Sequence, residues 1–204
     1  MKRIKLEQNT PEWMEWRKGK ITGSRLKDII VKRGNQRKLG FYEVLAERLT
    51  VPHENDNDDV MERGHTLEQK AVDEFTEVTG YKVKTDCGVW VSDTNEHIAL
   101  SPDGEIDEAH AVEVKCLSSA RHLQAYFEQE IPSDYEAQVC QYFIVNEKLE
   151  QLYFVFYDPR IPAKPLHYII VNREDWGDRI KQYNSYQTEA LDDIDQKINQ
   201  LTSF

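Results

Sequence analysis

The chain has 204 residues, of which 39% are hydrophobic and 31% charged, with a formal net charge of −11. That is enough apolar material for one core, too much for a disordered chain, and too short a chain for two full-sized domains. No apolar run reaches the length of a membrane span and no secretory stretch opens the chain, so a protein of the cytoplasm is expected.

The charge is unevenly placed. Residues 1–50 carry 13 Lys and Arg against 6 Asp and Glu, whereas the rest carries 13 against 31. A basic end on an acidic body can hold a polyanion locally while the remainder stays solvated. Cys87, Cys116 and Cys140 are three in number and lack C-x-x-C spacing, which argues against a disulfide framework, a zinc knuckle or a four-cysteine iron–sulfur cluster.

In chain order, Thr10 followed by Pro11 predicts a capped helix over about 11–18 that places Trp13 and Trp16 on one side. Gly19 interrupts it. Thr22 or Ser24 then caps a second helix carrying Leu26, Ile29 and Ile30, and a third runs over about 40–49. The acidic stretch 51–60 reads as an exposed loop. Leu67, Ala71, Phe75 and Val78 keep helical spacing over about 62–79, and Gly80 supplies the stop. Strands are expected at 81–91, 97–101 and 111–116, helices at 118–129 and 134–146, strands at 151–157 and 167–172, and a polar helix from about Glu174. This order fits an α/β domain whose central sheet is covered by helices.

The most informative stretch is SPDGEIDEAHAVEVKC, residues 101–116. Asp103 sits in a Pro-Asp-Gly turn, and period-two geometry places Glu113 and Lys115 on one face of the following strand, with Val112 and Val114 on the other. If the two segments pair as a hairpin, Asp103 comes near Glu113 at the sheet end. Mg²⁺ prefers hard oxygen ligands, so Asp103, Glu113 and the Val114 carbonyl could hold it, with Lys115 orienting a water. The same residues also suit an ordinary turn and an amphipathic strand. Glu68 borders the inward stripe of its helix, where a carboxylate needs a compensating cation. Gln138 and Gln141 lie three apart on a helix apolar almost all round and need partners for their amides.

Four blocks then carry a resemblance: EWMEWRKGKITGSRL (12–26), RGHTLEQKAVDEF (63–75), SPDG with EVK (101–115) and AQVCQYFIV (137–145). In this order the chain resembles the lambda-exonuclease group of phage alkaline exonucleases, also described as YqaJ-like viral recombinases, of the PD-(D/E)xK nuclease superfamily. The resemblance implies an α/β, restriction-endonuclease-like core with a mixed central sheet flanked by helices. It implies one nuclease domain over 1–204: a basic end-binding region at 1–50, a catalytic core at 61–172 and a terminal helix at 173–204. Asp103 and Glu113 would bind two catalytic Mg²⁺ ions, replaceable by Mn²⁺. Lys115 would serve the attacking water, and Glu68 would be the additional acid. Arg17, Ser24, Ser101 and Gln141 would receive the 5′-phosphate, with Gln138 beside them.

The implied activity is 5′→3′ digestion of one strand of linear duplex DNA by a homotrimeric ring, with a single-strand-annealing recombinase as partner. An endonuclease or nickase of the same superfamily is the alternative within enzymes. Outside them stands a non-catalytic DNA-end-binding scaffold.

Overall fold

A computed structural model of the chain describes residues 1–30, 39–49, 60–117 and 119–202. The N-terminal part contains β1 (Lys2–Ile4) and the helices α1 (Pro11–Arg17), α2 (Gly23–Ile30), α3 (Leu39–Leu49) and α4 (Val60–Thr79). The strands β2 (Val89–Val91), β3 (Ala99–Leu100), β4 (Gly104–Glu105) and β5 (His110–Lys115) follow. Then come α5 (Ser119–Glu128), α6 (Glu136–Val145), β6 (Gln151–Tyr157), β7 (Leu166–Asn172) and α7 (Gly177–Thr202). Of the stretch 51–60, expected as a loop, 51–59 lie outside the described residues and Val60 opens α4 instead. None of the described helices is long and apolar enough to cross a membrane.

Local chemistry sets several of these boundaries. The Thr10 hydroxyl accepts from the Trp13 amide (3.2 Å) and Pro11 occupies the first helical position, as the sequence predicts. At Gly19 the backbone turns into the left-handed region (φ 68°), which lets α2 leave α1 at once. Thr22 precedes α2, and its carbonyl accepts the amides of Arg25 and Leu26.

The strands form two sheets rather than the single one expected. One is antiparallel, in the order β1-β2-β3; the other is mixed, in the order β4-β5-β6-β7, with β5 and β6 parallel. Pro102, which has no amide hydrogen, separates β3 from β4 and breaks the continuity between the sheets. Strand structure expected at 81–91 is confined to β2 and one bridge from Lys84 to Glu105. Gly88, at φ 67°, turns the chain just before β2.

Both faces of the mixed sheet are covered. On one face Val112, Val114, Tyr153 and Val155 pack against Ala71 and Phe75 of α4. On the other, Ala111, Leu152, Phe154 and Phe156 pack with α6, α2 and α7. Eight of the ten residues of α6 are buried, so this helix is apolar all round because it runs through the centre of the domain. Each large apolar side chain it buries contributes roughly 1.5–3 kcal/mol. Where α2 crosses it, a Cβ on Gly23 would stand 2.7 Å from Leu100 and 3.3 Å from Gln138. Glycine is therefore what permits the close approach that carries α1 and α2 to the site.

Candidate active site

Glu113 lies on the α6 face of β5 and is 1% exposed. An ionised carboxylate there is costly unless its oxygens are hydrogen-bonded. Lys115 and Gln138 both donate to Oε1, and the Tyr142 hydroxyl donates to Oε2. The two α6 residues lie four apart, one helical turn, so a single face of α6 grips the carboxylate from above. Lys115 completes the grip from the same strand face, as period-two geometry predicts.

Asp103 arrives by strand pairing. Gly104 is in register with Val112, which brings Asp103 to Glu113 at the point where β4 begins. Its Oδ2 accepts the Val114 amide at 2.8 Å, replacing the ladder bond that β4 is too short to make. Because the N–H and C=O of one strand residue point to the same edge, the Val114 carbonyl also lies on the Asp103 side of β5. Burial, then the charge of Glu113, holds the Asp103 carboxyl well above the usual carboxylate range, with a further contribution from Glu68. Burial alone would lower the Lys115 ammonium, but Glu113 and Asp103 outweigh it and raise it to about 12. Burial, reinforced by Glu113, also pushes the Tyr142 phenol far above its ordinary value.

Glu68 and Asp103 line the same cavity of about 410 Å³, walled further by Gln8, Val72, Thr85 and Asp86. Among the described residues no three acidic, histidine or cysteine side chains converge to cage an ion on their own. The donor set nevertheless fits a hard divalent cation that keeps waters and takes a ligand from its substrate, since such ions bind proteins through one or two carboxylates. Glu113, buried, and Asp103, half-buried, outnumber the single ammonium of Lys115 at this point.

A second group of side chains gathers where α1 meets α2. The Arg17 guanidinium lies 4.1 Å from the Trp13 ring and donates to the hydroxyls of Thr22 (3.0 Å) and Ser24 (3.1 Å). No carboxylate of the described residues is within ion-pairing distance of it. Burial, then the nearby Arg25, lowers the guanidinium to about 10. Trp13 Nε1 donates to Ser101 Oγ at 2.9 Å, tying α1 to the segment that carries Asp103.

Arg17, Ser24 and Ser101 thus form one neighbourhood, and Asp103, Glu113, Lys115, Glu68 and Gln138 the adjoining one. Gln141 stands beside Gln138 at the start of α2. It is fully buried, and its amide donates to the carbonyls of Ile21 (3.2 Å) and Ala99 (3.5 Å), stitching the α2 entry to β3.

The basic end is also less exposed than its charge count suggests. Arg25 makes a two-pronged pair with Glu47 (2.6 and 2.7 Å), and Arg48 reaches Gly19 and Asp195. Tyr142 and Trp13 are the residues that sequence reasoning misses. Their signals are positional: Tyr142 is four residues after Gln138, and Trp13 four before Arg17.

Comparison with known proteins places this geometry in context. Residues 12–148 match the model of the YqaJ-like viral recombinase domain. No curated protein matches by sequence. Among solved structures, the chain is similar to an alkaline exonuclease from Laribacter hongkongensis, at 25% identity and a TM-score of 0.82, covering 94% of this chain and 96% of that one. The structure of that enzyme in complex with dAMP matches equally well. A phage-related exonuclease from Haemophilus somnus 129PT shares the fold at 15% identity, with a TM-score of 0.60 over 90% of this chain and 96% of that one.

Proposed function

Because the chain belongs to the YqaJ-like viral recombinase domain family, we propose that it is a nuclease that resects linear duplex DNA 5′→3′, one strand at a time, to leave 3′ single-stranded tails. The observation that carries this reading is the pairing of two unlike neighbourhoods. A dense carboxylate–ammonium cluster stands beside a half-buried guanidinium that has hydroxyl partners but no carboxylate. The first suits phosphodiester hydrolysis with a divalent cation; the second suits a terminal phosphate. An enzyme that counts from a 5′ end needs both.

Asp103, Glu113 and the Val114 carbonyl would hold Mg²⁺, probed equally by Mn²⁺, with Glu68 nearby. The bound ion supplies an acidified water and offsets charge developing on phosphorus. The chain's own residues do the rest. Lys115 presents its ammonium beside Glu113, where it can donate to a water or a phosphoryl oxygen. Gln138 and Tyr142 keep Glu113 from rotating. Arg17 offers a planar fork to phosphate oxygens, and the hydroxyls it now contacts, Thr22 and Ser24, stand at the entrance to α2, where helix amides favour anions.

We propose further that three copies form a ring around DNA in the cytoplasm and that a single-strand-annealing recombinase takes up the exposed strand. The acidic remainder of the chain fits a body whose basic surface is confined to the DNA path.

Digestion of linear duplex labelled at either end, with Mg²⁺ and with chelator, tests polarity, end dependence and metal requirement together. Release from 5′ ends only, abolished by chelator and absent on covalently closed circles, is the expected result. Nicking of closed circles would convert the reading to an endonuclease, and binding without digestion would convert it to an end-binding scaffold.

A further inference from the structure

The two sheets differ in how their edges end. Strands β1, β3 and β4 are two or three residues long, and β4 is met on its outer side by the Lys84 bridge. Strand β7 is seven residues long, ends the mixed sheet, and reads LHYIIVN without a proline or a Lys, Arg, Asp or Glu. Long apolar edges are ordinarily blunted by such residues.

The hydrogen bonds at the ends of β7 fix which groups this edge presents. The Arg173 amide donates to the Glu150 carbonyl (2.9 Å) and the Asp158 amide to the Pro165 carbonyl (2.8 Å), at the two ends of the β6–β7 ladder. These pairs continue the alternating series Leu152–Val171, Phe154–Ile169 and Phe156–His167. In an antiparallel ladder alternate pairs exchange both bonds and the intervening ones none. The N–H and C=O groups of Leu166, Tyr168 and Ile170 therefore point away from β6. No backbone group of the described residues meets them.

The surroundings say what could. Ile170 is 45% exposed and sits in register with Tyr153, which with Tyr81, Phe75 and Tyr168 forms an aromatic cluster. Within the cluster Tyr81 is 41% exposed, and Val78 on α4 is 63% exposed. At the Asn172 end a cavity of about 380 Å³ is lined by Glu150, Gln151, Asn172, Arg173 and Glu174. Arg173 donates inward to the carbonyls of Leu149, Phe143 and Asn146, so the carboxylates are the charges left to the cavity.

We propose that the β7 edge accepts an extended segment of a partner protein as an added strand. Its apolar side chains lie beside Tyr168 and Ile170, and a Lys or Arg at its end enters the Glu150–Glu174 cavity. Main-chain bonds supply affinity in this mode, and alternate side chains supply selectivity.

The probe is a fluorescein-labelled synthetic peptide of alternating valine and threonine ending in two lysines, titrated against the full chain by anisotropy. Saturable binding is expected, together with slowed amide exchange at Tyr168 and Ile170. Ile170→Pro removes an outward donor that β6 does not use, and edge strands tolerate proline. It should weaken binding roughly ten-fold or more, as should the pair Glu150→Lys and Glu174→Lys, while DNA digestion is unchanged. Should Ile170→Pro fail to fold, Ile170→Lys keeps the donor and tests the apolar side-chain contact at the same position.

Equal binding by these variants, or no saturation up to about 1 mM peptide, overturns the proposal. So does a multimer that Ile170→Lys converts to monomer, because a second copy would then occupy the edge. None of these outcomes bears on the nuclease reading, which loss of digestion in Asp103→Asn tests separately.

Discussion

The carboxylate cluster and the guanidinium pocket adjoin each other but are built on different plans. Glu113 is held by three donors from two regular elements, a strand beneath and a helix above, inside the domain's largest core. Arg17 is held by two hydroxyls and an aromatic ring at the junction of two short helices. The first holds its carboxylate redundantly and out of solvent; the second is sparse and lies at the end of its helix. Loss of a donor to Glu113 should therefore cost chemistry and stability together, whereas damage to the second should change selectivity and leave the fold alone.

The sharpest way to break this contrast is Asp103→Asn. It retains an oxygen able to accept the Val114 amide but removes the charge, and digestion should fall by roughly 100-fold to 1,000-fold or more with the melting temperature unchanged or raised. Persistence of digestion at the parental rate would show that the cluster is not the reaction centre.

Tyr142→Phe comes next. It leaves Glu113 Oε2 without its buried donor, a loss of about 1–3 kcal/mol measurable by urea unfolding. It should also weaken divalent-ion binding by about 10–100-fold in calorimetry, as loss of a residue that orients a ligand does. If stability falls and ion affinity does not, Tyr142 supports the core without positioning the carboxylate.

Arg17→Lys probes the sparse side. A lysine cannot reproduce the fork or the stacking on Trp13. The preference for 5′-phosphorylated over 5′-hydroxyl ends should shrink by about ten-fold, with unfolding midpoint unchanged. A fall in stability as large as that of Tyr142→Phe would erase the distinction between the two regions.

The smallest expected effect on digestion lies outside both. His167 is buried against His122, its ring centroids 4.6 Å apart, and burial lowers its imidazole to about 4. Above about pH 6.5 neither folded nor unfolded chain protonates it, so its full contribution is present there. As pH falls from about 6.5 to 4 the unfolded chain takes up a proton that the fold refuses, and stability declines. His167→Gln should flatten the urea midpoint in this window. An unchanged slope would show that the imidazole titrates in the fold as it does in the open chain.

Much of this was legible in the residues themselves. Period-two alternation brings Glu113 and Lys115 to one strand face, and the Thr10–Pro11 start of α1 is capped as expected. Local patterning was less informative where pairing partners come from afar. Strand β1 pairs with β2 about 87 residues on, a contact that no local window contains. The Gln141 amide joins two main-chain segments that only the fold brings together.

What the chain's order of residues determined by itself was the chemistry on offer: two acids, an amine and an arginine, each at a spacing dictated by strand or helix period. The tertiary structure alone decided their company. Register between β4 and β5 carries Asp103 to Glu113, and the passage of α6 over the sheet supplies Tyr142 and removes water. Short-range periodicity follows from backbone geometry and can be read along the chain. The dielectric around a carboxylate, and the donors that compensate for it, depend on which distant segments pack there.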